Sequence, residues 1–188
     1  MTNKLFSPII LLLVLAFLIG PFLIIIAASL SAGETLAFPP QGLSLRWVLK
    51  VFEVESFRAS FGISMFLAIG GTLAALILGI PASYALSRYK VPGAETIRTI
   101  VSSPIIVPGI IVGLALLRYF VVPFNFGILF ALFLAHTALI LPYAVRVVSA
   151  SLNNLRSDIE EAAVLLGSSR IGAFFRVVMP NIRGGILA

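Results

Sequence analysis

The sequence predicts an all-α fold, a polytopic transmembrane helical bundle. Three observations predict it. The 188-residue chain is 60% hydrophobic, with a mean hydropathy of +1.15. Only 11% of its residues are charged, where a soluble domain carries about a quarter. The apolar residues come in long blocks separated by short polar stretches, the pattern that a bilayer core of about 30 Å selects. There is no cysteine and one histidine, His136. That excludes disulfides, thiol nucleophiles, and thiolate or multi-histidine metal sites. The net charge of +6 would suit nucleic acid, but in a membrane protein it has a simpler cause, because Lys and Arg collect in cytoplasmic loops. Membrane lipid is the expected surrounding; no nucleic-acid partner and no cofactor is expected.

Residues 8–30 carry no charge and are long enough to cross a bilayer. A cleaved signal peptide is the rival reading, with Lys4 as its basic end and Ser29, Ser31 and Ala32 as small residues near a cleavage point. The apolar run exceeds the usual 7–15 residues of such a peptide, so an uncleaved first span is preferred, with Pro21 as a place to kink. Residues 31–56 form a polar loop. In it, Ser44 is placed to cap a short helix whose Leu45, Val48, Leu49 and Phe52 share one face. Trp47 suits a membrane–water boundary.

The second span covers 57–86 and is longer than a bilayer requires. Gly70, Gly71, Gly79 and Pro81 let it bend or let a neighbouring helix come close. Its polar set, Ser60, Ser64, Thr72, Ser83 and Tyr84, either faces a pathway or bonds its own backbone. A short basic loop with Arg88, Lys90 and Arg98 follows, turning at Pro92-Gly93. The third span, 99–122, carries Ser102, Ser103, Pro104 and Pro108-Gly109. Such a broken stretch belongs inside the protein or beside a wet cavity. The fourth span, 126–148, contains His136, Thr137, Pro142 and Tyr143. No Asp or Glu lies in any span, so His136 has no carboxylate for a proton relay and is read as an imidazole bonded to a backbone carbonyl. Candidate residues of a substrate path are Ser64, Thr72, Tyr84, Ser102, Ser103 and Tyr143.

Residues 157–180 form the one long polar-flanked break. Ser157 and Glu160 make an S-x-x-E capping box. Asp158, Glu160 and Glu161 suit the positive end of a helix dipole. Ile159, Ala162, Ala163 and Leu166 share one face, small enough for another surface to come close. Gly167 ends the helix, Ser168 or Ser169 caps a second short one carrying Arg170, Phe174, Phe175 and Arg176, and Pro180 closes it. Placing the N-terminus inside puts Lys4, Arg88, Lys90, Arg98, Arg146, Arg156, Arg170, Arg176 and Arg183 in the cytoplasm. Arg46, Lys50, Arg58 and Arg118 are then outside. Nine of the 13 basic residues are inside, as the orientation rule asks.

Glu161-Ala162-Ala163, three residues, Gly167, nine residues, then Val177-Val178-Met179-Pro180 resembles the EAA loop of inner-membrane permease subunits of binding-protein-dependent ABC importers. Val177 and Met179 are conservative departures from the family's I-x-L-P. The stretch 38–47, from Phe38 and Pro39-Pro40-Gln41-Gly42 to Arg46-Trp47, resembles the spermidine/putrescine branch. The resemblance implies a bundle of the ABC importer permease type in a bacterial inner membrane, with the N-terminus cytoplasmic. It implies a single permease domain over 1–188, truncated after the EAA loop, with the start of a further span at 184–188. It also implies the partners: cytoplasmic ATP-binding subunits, a second permease subunit and a soluble substrate-binding protein. Glu160, Glu161, Ala162, Ala163, Gly167 and Pro180 are the ATPase-docking candidates that it implies. The implied cargo is a polyamine, with iron, an opine, a phosphonate or a sugar as alternatives.

An enzyme is disfavoured on the residues themselves, since there is no H-E-x-x-H, P-loop or G-x-S-x-G pattern, and Ser64 after Gly62 has no placed base. A free-standing channel or secondary transporter usually needs intramembrane acidic residues for coupling, and the spans have no Asp or Glu. The energy source is therefore expected outside the chain.

Overall fold

The computed structural model describes residues 6–34, 39–40 and 42–187. Lys4, Phe38, Gln41 and the last residue of the 184–188 stretch lie outside the described residues. The chain divides within one helix into two compact units, Met1–Gly62 and Ile63–Ala188.

In the first unit, α1 (Phe6–Ser29) has Pro21 inside it and no charged residue at either end. A helix apolar on every side is built for lipid or for burial. After it, Ser31 and Leu43 form an isolated antiparallel bridge, and Ser44 N–H donates to the Leu30 carbonyl at 2.7 Å. The Ser44 hydroxyl accepts from Arg46 N–H at 3.1 Å; the residue at the cap of α2 (Arg46–Glu53) is Leu45, so the serine stands one position before the expected cap and satisfies the first N–H of the helix. Trp47 Nε1 donates to the Gly33 carbonyl at 3.0 Å, and the guanidinium of Arg46 lies 4.6 Å from the centre of the Trp47 ring. The indole thus ties the loop back onto α2. α3 (Glu55–Arg88) begins in this unit and continues into the second.

In the second unit the buried residues of α3 are Leu67, Gly71, Ala75, Gly79 and Ser83. They recur every fourth position and make one ridge of mostly small side chains. The ridge meets α7 (Ile128–Asn154). A Cβ on Gly79 would sit 3.1 Å from Ala144 Cβ, so this close approach requires glycine. Ser83 Oγ donates to the Val145 carbonyl at 3.1 Å. Ser83 is therefore a buried tie between helices, not a pathway residue.

The expected helix over 99–122 is two helices with a sharp corner. α4 (Ala94–Ile106) and the stretch Gly109–Phe124 meet at 96°. Pro108 causes the corner, because it lacks an N–H and drives the preceding residue out of the helical region; Val107 is extended at φ −83°, ψ 124°. Beyond it come α5 (Gly109–Leu116), a π turn over Leu117–Val121 and α6 (Val122–Phe124), ended by Asn125 at φ 50°. Pro104, inside α4, leaves the Ile100 carbonyl without its usual donor. The Ser103 hydroxyl donates to that carbonyl at 2.8 Å, so Ser103 satisfies the acceptor that Pro104 leaves open in its own helix.

Among the described residues, three helices are long and apolar enough to cross a membrane: Ser7–Ser29, Glu55–Arg88 and Ile128–Asn154; the bent pair is a fourth if it counts as one span. In α7, His136 Nδ1 donates to the Leu132 carbonyl at 2.7 Å, the backbone bond expected of it. The chain then continues as α8 (Ser157–Leu165), α9 (Arg170–Ala173), a π turn over Phe174–Val178 and α10 (Met179–Leu187). Val148 and Leu152 of α7 pack on Val178 and Ile182 to form the buried core, with Ile80, Tyr84, Leu155 and Phe174 around it. Each pair is spaced by four, which puts both members on one helix face.

Pro180 does not close a helix, contrary to expectation. It is the second residue of α10, where the missing N–H costs little. Met179 N–H reaches back five residues to the Phe174 carbonyl, and this π turn widens the helix just before the ring. The Asn181 amide donates to the Val177 carbonyl at 2.7 Å.

Candidate functional site

The candidate site is the junction where α8 meets the end of α3. α7 stops at Asn154, and Leu155 and Arg156 are extended (ψ 120° and 132°), so the chain turns before α8 begins at Ser157. The helix starts where the S-x-x-E pattern predicts, but the capping box is not formed. The residue before α8 is Arg156, and no side chain caps it. Glu160 is engaged elsewhere. Its carboxylate accepts a hydrogen bond from the Tyr84 hydroxyl and lies 3.3 Å from Arg88 Nε. Both charged side chains are only 12% exposed. The Arg88 Nε–H is not aimed at the carboxylate, because its Nη2 donates to the Leu155 carbonyl at 2.9 Å. One guanidinium thereby holds both the turn before α8 and the helix itself. Two buried opposite charges outbid a solvent-exposed cap, because a buried carboxylate without a counter-charge is costly.

Phe174 stacks edge-on against Tyr84, with centroids 4.8 Å apart, and Tyr89 does the same from the other side at 5.9 Å. These rings pack around the tyrosine that bonds the ion pair. The junction encloses a cavity of about 330 Å³ lined by Tyr84, Arg88, Glu160, Glu161 and Arg170 among others. At the start of α8, Asp158 accepts from Arg156 Nε at 3.1 Å. That side-chain hydrogen bond holds the Asp158 carboxyl below its usual range.

The far end of α8 is a complete Schellman turn. Gly167 N–H donates to the Val164 carbonyl and Ser168 N–H to the Ala163 carbonyl, both at 3.0 Å. Gly167 has φ +95°, a conformation that glycine adopts without a Cβ penalty. Ser169 is the residue that caps α9, accepting from Gly172 N–H at 3.0 Å. The turn presents apolar side chains outward: Leu165 is 88% and Leu166 89% exposed. Glu161 and Ala162 are exposed beside them, while Ala163 is half-buried.

Residues 71–188 match the family of binding-protein-dependent transport system inner membrane components. The chain belongs to this family. The putrescine transport system permease protein PotI of Escherichia coli strain K12 is 31% identical over 188 residues, covering 96% of this chain and 66% of PotI. The sulfate transport system permease protein CysT of Synechococcus elongatus is 30% identical over 142 residues, covering 69% of this chain and 49% of CysT. Among solved structures, a bacterial ABC transporter involved in the import of the acidic polysaccharide alginate superposes with a TM-score of 0.63 at 18% identity. That match covers 100% of this chain and 70% of the other, and shows a shared fold.

In this permease-family chain the residues expected along a substrate path are not gathered at one place. Tyr84 is bonded to Glu160 and Ser103 to its own helix. Ser64, Thr72 and Tyr143 are exposed, and Ser102 lines a cavity between α4 and α7. Arg88 is the residue of this junction that the sequence did not single out. It stands 72 positions before Glu160 in the chain, and no spacing rule links two residues across that distance.

Proposed function

We propose that this chain is the permease subunit of an importer driven by partner ATP-binding subunits, which dock on the exposed side of α8. One observation carries the reading. The family's loop spacing folds here into a helix and a Schellman turn that expose Glu161, Leu165 and Leu166, while Glu160 is latched to α3. A partner gripping the outer side then moves α3 through a buried ion pair. Ala162 permits close approach, Gly167 sets the turn, and Glu161 is the polar contact. The N-terminus lies in the cytoplasm by the distribution of basic residues. A second permease subunit and a soluble binding protein complete the system. Co-purification of the ATP-binding subunits with Glu161→Lys and Leu165→Ser variants tests the docking. Both are expected to insert normally and to recover at least several-fold less ATPase; recovery at the level of the unmutated chain refutes the docking surface.

The cargo we favour is a polyamine, supported by the likeness to PotI over nearly all of this chain. The likeness to CysT supports an anion as the competing class. Binding measurements on the soluble protein encoded with this permease discriminate them. Uptake of putrescine or spermidine supports the polyamine reading, and selective binding of sulfate overturns it.

A further inference from the structure

α4 and α7 line a second, open cavity of about 400 Å³, mostly apolar with a few polar side chains, away from the α8 junction. Arg98 and Ser102 line it from α4, and Arg146 and Ser149 from α7. The first pair is spaced i, i+4 and the second i, i+3, so each pair shares one helix face. The facing pairs supply two guanidiniums and two hydroxyls, and no acidic side chain lines the cavity. Arg98 donates to the Leu86 carbonyl at 2.9 Å. Among the described residues neither Arg98 nor Arg146 has a carboxylate within ion-pair distance, in contrast to Arg88. Ser149 is only 5% exposed, and its hydroxyl has no hydrogen-bond partner among the described residues. Buried hydroxyls are normally satisfied. Here a buried hydroxyl without a partner lines the same space as two guanidiniums that have no carboxylate, one of them, Arg146, exposed.

A tetrahedral oxyanion supplies the missing acceptors, since arginine pairs with such groups through its planar fork of N–H donors. The remaining wall, including Ile105 and Val145, is apolar. An apolar wall beside the donors suits an acyl chain better than a hydrated free ion. Arg98 lies near the start of α4, just after the turn that follows Arg88, and Arg146 lies in the part of α7 leading to α8. The donors therefore stand toward the α8 side of the bundle, at the depth where headgroups meet helix ends. We propose that this cavity binds the phosphate of an anionic phospholipid from the leaflet on the α8 side, with its acyl chain along the apolar wall.

Native mass spectrometry of the full chain, purified in detergent and titrated with phosphatidylglycerol or phosphatidylcholine of identical acyl chains, tests the proposal. Selective retention of phosphatidylglycerol is expected. The double variant Arg98→Gln/Arg146→Gln is expected to lower that retention by about tenfold or more, from the loss of two basic contacts near the membrane surface. Ser149→Ala removes one oxygen and no charge, and is expected to lower retention several-fold. Arg183→Gln, outside the cavity, is expected to leave it unchanged. Equal retention of the two lipids, or a double variant that holds phosphatidylglycerol as well as the unmutated chain, overturns the proposal. Displacement of the lipid by millimolar sulfate or inorganic phosphate, with the same dependence on the two arginines, assigns the cavity to a free oxyanion and overturns the lipid assignment. Monodisperse elution of each variant separates lost binding from lost folding, and the uncharged Ser149→Ala change keeps the test decisive if the double variant misfolds.

Discussion

The two sides of α8 are built on opposite principles although their acidic residues are neighbours in the chain. Glu160 faces inward and is held by Tyr84 and Arg88 in a largely buried junction. Glu161 faces outward beside two leucines that touch almost nothing. The inner side is fully engaged within the chain, and the outer side is left unengaged. A helix so arranged transmits a push applied from outside to the helix behind it. Changes to the inner side should therefore cost stability, and changes to the outer side should cost only association.

The largest effect is expected at Arg88. Arg88→Ala leaves Glu160 buried without its counter-charge and should destabilise the junction by about 3 kcal/mol. Arg88→Met combined with Glu160→Leu removes both charges and should recover much of that loss. A double-mutant cycle on thermal stability in detergent measures the coupling, and a coupling of zero would show that the latch is only a crystal-like proximity of two independent groups. Next comes Gly167→Val, which forces a β-branched residue to φ +95°. A cost of about 1–2 kcal/mol is expected, with Gly167→Asn close to the unmutated chain. Equal losses for valine and asparagine would mean that backbone strain is not the cause.

Smaller still is Ser169→Ala, which deletes the cap of α9 and should cost about 1 kcal/mol. Faster hydrogen exchange at the Gly172 amide would report it, because that N–H is the one the Ser169 hydroxyl accepts from. Unchanged exchange there would show that the cap contributes nothing. On the outer side, Leu165→Ser should alter stability by no more than about 0.5 kcal/mol, so that any loss of ATPase recovery belongs to docking. A stability loss as large as that of Arg88→Ala would erase the distinction between the two sides.

The sequence by itself determined the helical class, the four apolar blocks, the glycine turn at Gly167 and the start of α8. Each follows from a local rule: hydropathy over a window, the φ of glycine, or acidic residues at a helix start. Local rules also found the Ser169 cap and the backbone-bonded His136. Only the tertiary structure decided where polar side chains go once several partners compete for them. The S-x-x-E box failed because a buried guanidinium attracts a carboxylate more strongly than an exposed backbone N–H does. Tyr84 and Ser83 bond a carboxylate and a carbonyl of other helices, and Ser103 a carbonyl of its own helix. Pro180 stopped nothing, because the π turn before it had already made room. The partner of Arg88 and the unpaired state of Arg98 and Arg146 were likewise invisible in the sequence, where all three are simply basic residues of a loop or a helix end. Pairing between buried charges depends on which helices pack together, and that is decided by the small-residue ridge of α3 against α7 and not by the charges themselves.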